Sequence, residues 1–241
     1  MIKFIVLSTQ RSGSAFLATS LSSHPRIHCH REIFLRKNRN PIAYRAFRTA
    51  SLRRRLAHLF VTKWLVYSYL ADLYKVTTGV DALGFKFMYD QAKQLPEVVE
   101  WIREHNVKVI HLIRANVLKT FSSLLAAQAR KVYHSTKPVE PIKVRLQPEE
   151  LIAVLTRRMR LIETYRGVFA DNPYLEVTYE SFVAHRDDEA RRILRFLDIE
   201  PFVPLTTDLV KINPDSLQDL IENYEGVAQV LKGTAFEQFL D

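Results

Sequence analysis

Residues 4–17 read FIVLSTQRSGSAFL, in which an apolar strand-like run passes into an apolar helical run through Arg11, Ser12, Gly13 and Ser14. A strand that feeds a helix through a tight turn aims several unpaired N–H groups at one point, and the helix dipole adds about half a positive charge there. Gly13 admits close approach and backbone conformations denied to other residues, Ser12 and Ser14 add hydroxyl donors, and Arg11 adds a guanidinium fork. Together these groups suit a tetrahedral oxyanion. Alone they also fit a plain turn with an N-capping serine, so a second anion-binding feature is required.

That feature is KVIHLIRANVLKTFSSLLAAQ, a buried strand over 107–113 followed by Arg114 and a helix capped by Asn116. Arg114 stands at the carboxyl end of its strand, the edge where open parallel sheets bind ligands, so it can share a crevice with the Arg11 corner. Ser122 lies about 9 Å along the helix from Asn116, within reach of a phosphate gripped by Arg114. The pattern G-x-x-x-x-G-K-[ST] is absent, the six glycines form no G-x-G-x-x-G trio, and the second strand ends in arginine where a magnesium-holding strand ends in a carboxylate.

The elements that must position these groups follow from periodicity. β-Branched apolar runs at 2–8, 83–88, 107–113 and 174–178 alternate with helical spacing, which predicts an α/β fold with a central, mostly parallel sheet flanked by helices. The spacing predicts a long helix from Pro148 closed by Pro173, one or two helices over 41–78, and an irregular excursion over 131–147. One domain spanning 1–241 is expected.

The paired motifs resemble the two nucleotide-binding signatures of the sulfotransferases that use 3′-phosphoadenosine 5′-phosphosulfate, and are most similar to bacterial carbohydrate and nodulation-type members, which begin T-Q-R-[ST]-G-S. Further segments fall in family order: SSHPRIHCHREIF, LGFKFMYDQ, VTYESF and LIENYEGVAQVLKGTAFEQFL. The resemblance implies a P-loop NTPase-like fold, a first loop at Arg11, Ser12, Gly13, Ser14 and Ala15 that holds the 5′-phosphosulfate, and Arg114 with Ser122 on the 3′-phosphate. Ala15 departs from members that carry a second hydroxyl there. The product would be adenosine 3′,5′-bisphosphate, and no metal would be required.

Sulfuryl transfer to a hydroxyl needs charge stabilisation on the leaving phosphate, an aligned acceptor and a base. Arg11 fits the first role. Glu32, in HREIF, matches the family glutamate that serves as base, with His28 and His30 as rival bases and ion pairing to Arg31 or Arg36 as its bland alternative. Lys86, between Phe85 and Phe87, points away from the apolar face and fits acceptor or sulfuryl oxygens, or else is a solubilising lysine. Tyr179 resembles the tyrosine beside the adenine, or is a core aromatic. The cluster His24, His28, Cys29 and His30 invites zinc, but neighbours in an extended loop point opposite ways.

Lys plus Arg outnumber Asp plus Glu by 35 to 26, a net charge of +9 that favours anionic ligands. A Mg·ATP phosphotransferase and a basic polyanion or membrane-surface binder, resting on RAFRTASLRRRL at 45–56, are the competing readings. A solvated helix face is the simpler account of that basic segment, and no nucleic-acid partner is expected. No apolar stretch approaches the roughly 20 residues of a membrane span, so membrane contact would be peripheral at most. The single cysteine fits a reducing compartment, here the cytoplasm. The expected acceptor is a carbohydrate or small metabolite with a free hydroxyl.

Overall fold

Strict alternation builds the first strand: in β1 (Ile2–Ser8), Phe4 and Val6 turn to one face while Ile5 and Leu7 turn to the other, and all four are fully buried. A strand apolar on both sides must be covered twice, which forces helices onto both faces of its sheet. The computed structural model describes residues 1–77 and 79–240, and the side chains of Leu59 and Val76 fall outside the described set. It contains α1 (Ser14–Ser22), β2 (Ile27–His30), α2 (Tyr44–Thr49), α3 (Leu52–Phe60), α4 (Thr62–Val76), β3 (Ala82–Met88), α5 (Tyr89–Gln94) and α6 (Pro96–Glu104). There follow β4 (Lys108–Ile113), α7 (Val117–Arg130), α8 (Pro148–Val168), β5 (Tyr174–Thr178), α9 (Tyr179–Ala184), α10 (Arg186–Phe196), α11 (Leu217–Leu220) and α12 (Tyr224–Leu231).

The strands form one all-parallel sheet in the order β2-β3-β1-β4-β5. Ile5, Leu7, Phe85 and Phe87 pack under α4 and α6, with Trp101 as the largest side chain of that layer. Phe4, Val6, Ile110 and Leu112 pack under α1, α9 and α10 on the other face. A third apolar cluster joins α7, α8, α11 and α12. The chain leaves β1 toward β3 and β2, and later crosses β1 to reach β4, so the order reverses beside β1 and opens a crevice at the carboxyl edge.

Four expected strands are present and a fifth, β2, was not anticipated. Residues 27–30 were expected as extended loop, but this four-residue edge strand pairs with β3 and alternates Ile27 and Cys29 inward with His28 and His30 outward. Its brevity hides the period. The 41–78 segment forms three helices instead of one or two, because Ser51 caps α3 by accepting from the Arg54 amide and Val61 breaks the chain again; Thr78 lies outside the described residues. Helix α8 ends at Val168, before Pro173. No helix among the described residues is long and apolar enough to cross a membrane.

Close packing sets a clear limit at Gly84, where an added Cβ would stand 2.5 Å from the ring of the fully buried Phe4. Gly84→Ala is expected to destabilise the fold by about 1–3 kcal/mol. Gly226, inside α12 with open space around it, is the control: Gly226→Ala is expected to hold or raise the urea midpoint.

His111 on β4 is fully buried between the hydroxyls of Tyr89 and Tyr174. Burial outweighs the attraction of nearby Glu176 and pushes the imidazole down to about 4. The unfolded chain therefore takes up a proton near pH 6.5 that the folded chain refuses until about pH 4, so stability falls as pH drops through that window. Denaturation at pH 7 and 4.5 should show a pH-dependent loss smaller by on the order of 2 kcal/mol in His111→Phe than in the native chain.

Candidate active site

At the end of β1 the chain turns through Thr9–Ser12 and enters α1 with Gly13 as N-cap, at φ 90° and ψ 8°. Gly13 is required twice over: by its left-handed backbone, and because a Cβ would lie 2.2 Å from Cδ2 of Tyr179. Arg11 is also left-handed, at φ 66°, a conformation that costs a non-glycine residue about 1 kcal/mol and is seldom kept without a local reason. Among the described residues no side chain caps α1, so its first N–H groups face the corner without a side-chain acceptor.

The side chains of Ser12 and Arg11 are both engaged by neighbours in the fold. Ser12 donates to the Thr9 carbonyl at 2.8 Å and contacts Ser8, whose hydroxyl donates to the Leu112 carbonyl at 2.7 Å. These bonds lock the turn onto β1 and β4, so Ser12 contributes its amide to the corner and not its hydroxyl. Arg11 donates from Nε to the Ser123 hydroxyl at 3.1 Å and from Nη1 to the Tyr133 carbonyl. Ser14 and Ala15 are buried in the first turn of α1.

The expected second feature meets the first directly. β4 lies beside β1 with Ser8 opposite Leu112, and Arg114 donates from Nη1 to the Arg11 carbonyl at 3.5 Å. Its guanidinium lies 5.2 Å over the Tyr179 ring and its Nε stands 3.8 Å from Glu180 Oε1. That Nε is buried and has no hydrogen-bond partner among the described residues. Asn116 caps α7 by accepting from the Lys119 amide, as the sequence predicted.

Ser122 departs from expectation. It is fully buried and donates to the Leu118 carbonyl at 2.9 Å, one turn back in its own helix. Its neighbour Ser123 is the hydroxyl that faces the corner, accepting from Arg11 and, at 2.8 Å, from Asn213. Asn213 in turn accepts from Arg130 at 2.7 Å.

Sequence reasoning also missed three cations here. Burial first, then the charges of Arg114 and Arg130, lower the pKa of Arg11; burial, then Arg114 and Lys119, lower that of Lys211. Arg11, Arg114, Arg130, Lys119 and Lys211 thus share one field. Lys119 and Arg130 sit on α7 and Lys211 on the segment after α10, and no motif marks any of them.

Across the crevice, Glu32 follows β2 and accepts from Lys86 Nζ at 3.1 Å on one oxygen and from Gln91 Nε2 at 3.1 Å on the other. Lys86 is 3% exposed on β3, on the face opposite Phe85 and Phe87, and its partner is Glu32 instead of solvent. Gln91 Oε1 accepts from the Met88 amide, which assigns the other end of its amide as donor to Glu32. The sequence did not single out Gln91; its signal would have been a buried amide one turn beyond a strand end.

His28 and His30 project from the same face of β2 and bond each other at 3.0 Å. Burial, then the neighbouring His28 charge, pushes His30 down to about 4. His134, at the solvent border of the 131–147 segment, is pushed to about 4 by burial and by the charges of Lys86, Arg11 and Arg31, which sets it at the rim of this site. A cavity of about 210 Å³ opens beside Arg114 and is lined by Thr9, Tyr89, Thr120, Arg157 and Arg158. Arg158 lies 5.3 Å over the Phe121 ring, and among the described residues neither Arg157 nor Arg158 meets a carboxylate within ion-pair distance.

The profile of the sulfotransferase family matches residues 4–204, a span that includes Arg11, Glu32, Lys86, Arg114 and Tyr179. A crystal structure of a sulfotransferase from Alicyclobacillus acidocaldarius is similar at a TM-score of 0.51 and 16% identity, covering 100% of this chain and 96% of that one. At that identity the likeness speaks for the fold alone: a parallel sheet flanked by helices, of P-loop-like type. No curated protein matches. With the profile extending over most of its length and two arginine-bearing strand ends meeting at the carboxyl edge of its sheet, the chain belongs to the sulfotransferase family.

Proposed function

We propose that the chain, acting as one domain, transfers a sulfuryl group from 3′-phosphoadenosine 5′-phosphosulfate to a hydroxyl of a carbohydrate or other small metabolite. The observation that carries this reading is the Arg114 guanidinium, which donates from Nη1 to the Arg11 carbonyl while its buried Nε has no hydrogen-bond partner among the described residues. Five basic side chains share that neighbourhood, opposed at close range by Glu180 and, at Lys211, by an exposed Asp215. Like charges gathered in a partly buried place favour a bound polyanion, and a nucleotide phosphorylated at both ends fits that chemistry. Both arginines stand at the carboxyl edge of the parallel sheet, which supports a ligand that bridges them.

When bound, the donor supplies the sulfuryl group and departs as the bisphosphate. The amides at 12–14 and the free edge of the Arg11 guanidinium would hold the 5′ end, and Arg114, supported by Lys119 and Lys211, the 3′-phosphate. Ser122 enters that grip only if it releases the Leu118 carbonyl. Tyr179, packed over Gly13 and under Arg114, walls the corner.

Glu32 is the base in this reading. Lys86 and Gln91 each occupy one lone pair of its carboxylate, which fixes its orientation and leaves a lone pair on each oxygen for the acceptor proton. His28 Nε2 and His30 Nδ1 are bonded to each other, and burial, then the His28 charge, holds the His30 imidazole down at about 4, which disfavours its taking that proton although its buried Nε2 has no partner among the described residues. Arg157 and Arg158, lining the cavity without carboxylate partners, favour an acceptor that carries a carboxylate, phosphate or sulfate beside its hydroxyl. The single, buried Cys29 agrees with a cytoplasmic location.

Adenosine 3′,5′-bisphosphate should raise the melting temperature in magnesium-free buffer, and Arg114→Ala should weaken that binding by about 10- to 100-fold in calorimetry. Stabilisation by Mg·ATP with none by the bisphosphate would overturn the reading. Glu32→Gln is expected to keep bisphosphate affinity within about twofold and to lower turnover by roughly 10²–10⁴, measured as transfer of labelled sulfate from donor to acceptors in a cell extract. Full turnover in that variant would move the base elsewhere.

A further inference from the structure

Helix α3 is built inside out. At about 100° per residue, Leu52, Leu56 and Phe60 fall within an arc of about 80°, an ordinary apolar stripe of the kind that faces a core. Here that stripe faces outward: Leu52 is 72% exposed, Leu56 51% and Phe60 82%. The side turned to the body carries Arg54, Ala57 and His58. Arg54 lies 3.8 Å over the Phe47 ring and donates to the Phe47 carbonyl, and the His58 ring packs against Tyr44. Val61 and Trp64, just beyond the helix, add further exposed apolar surface.

Charge borders this stripe on both sides. Arg53 falls at one edge of the arc and Arg55 at the other; both are exposed, and neither forms an ion pair among the described residues. Arg45 and Arg48 on α2 add to the same basic region, so the simple solvated-face account of 45–56 leaves the exposed leucines and phenylalanine unexplained. An apolar stripe edged by arginines, with an exposed tryptophan beside it, is the surface that an anionic lipid interface complements, the side chains entering the acyl boundary and the guanidinium groups meeting the headgroups. A second copy fits poorly, since apposing two such faces brings Arg53 and Arg55 against their like. A nucleic acid would use the arginines and leave the aliphatic stripe in water.

We infer that α3 is a peripheral docking helix for anionic phospholipid bilayers. It lies on the surface without crossing it. The inference stands apart from the sulfuryl-transfer reading, although Tyr44, against which His58 packs, also packs on Phe34, two residues from Glu32. A bilayer seated on α3 is thereby two aromatic contacts from the segment that carries the carboxylate.

The two tryptophans provide the test, because Trp64 is half exposed and Trp101 is buried. The full chain is mixed with vesicles of phosphatidylcholine containing about 30% phosphatidylserine, and with vesicles of phosphatidylcholine alone. Co-sedimentation and a blue shift of Trp64 emission are expected with the first only. Leu56→Ser with Phe60→Ser should weaken partitioning at least tenfold, and Arg53→Glu with Arg55→Glu should weaken it by a similar factor at low salt. Both variants should keep the native melting temperature within a few degrees and the native response to the bisphosphate, since Leu56 and Phe60 are exposed and the arginine pair gives up only the surface bond from Arg55 to the Thr49 carbonyl. No binding to anionic vesicles overturns the inference. So does binding that survives the serine pair, self-association abolished by that pair without lipid binding, or a polynucleotide complex in place of the lipid one.

Discussion

The hydrogen bond from Arg114 to the Arg11 carbonyl joins residues 103 positions apart and is the contact on which the site depends. It exists because β1 and β4 are neighbours and both end at the same edge of a parallel sheet. Each strand delivers an arginine there. Further cations from α7 and from the segment after α10 crowd the same volume, and burial raises the cost of holding them together. Part of that cost is offset by neutral acceptors: Ser123 and the Tyr133 carbonyl on Arg11, Asn213 and the Glu140 carbonyl on Arg130. What they leave unsatisfied, the Nε of Arg114 above all, is a buried donor without a hydrogen-bond acceptor among the described residues.

The carboxylate side of the crevice follows a different logic. Lys86 is nearly inaccessible, and a buried ammonium without a partner would be costly, so β3 can carry it only because β2 delivers Glu32 opposite. Gln91, held by the Met88 amide, fixes the second oxygen. The orientation of the carboxylate is thus a product of three elements, and the edge strand β2 is the least visible of them. Its outward histidines pair with each other, while Cys29 between them faces the core.

Much of the frame was legible in the residues. Period-two alternation in β1, the Asn116 cap and the Pro148 start of α8 are local signals, and local signals survive folding because they concern backbone conformation and the nearest turn. Where reading failed, a competing contact decided. Ser122 and Ser123 are indistinguishable by type, and the phase of α7 turns one to its own backbone and the other to Arg11. Ser12 was expected to face an anion with its hydroxyl, and the nearby Thr9 carbonyl claims it. The 41–78 segment resolves into three helices at points where a single serine cap and one non-helical residue, Val61, outweigh continuous helical propensity.

By itself the sequence determined the α/β alternation, the two arginine-bearing strand ends, the glycine in the first turn and the family to which they point, because each rests on the chemistry of consecutive residues. Tertiary structure alone decided the strand order that brings Arg11 and Arg114 together, the placing of Gln91, Lys119, Lys211 and His134 around them, and the outward roll of α3. Those properties depend on which faces meet across long loops, and no residue type or spacing encodes the direction in which a helix turns once its neighbours have closed the core.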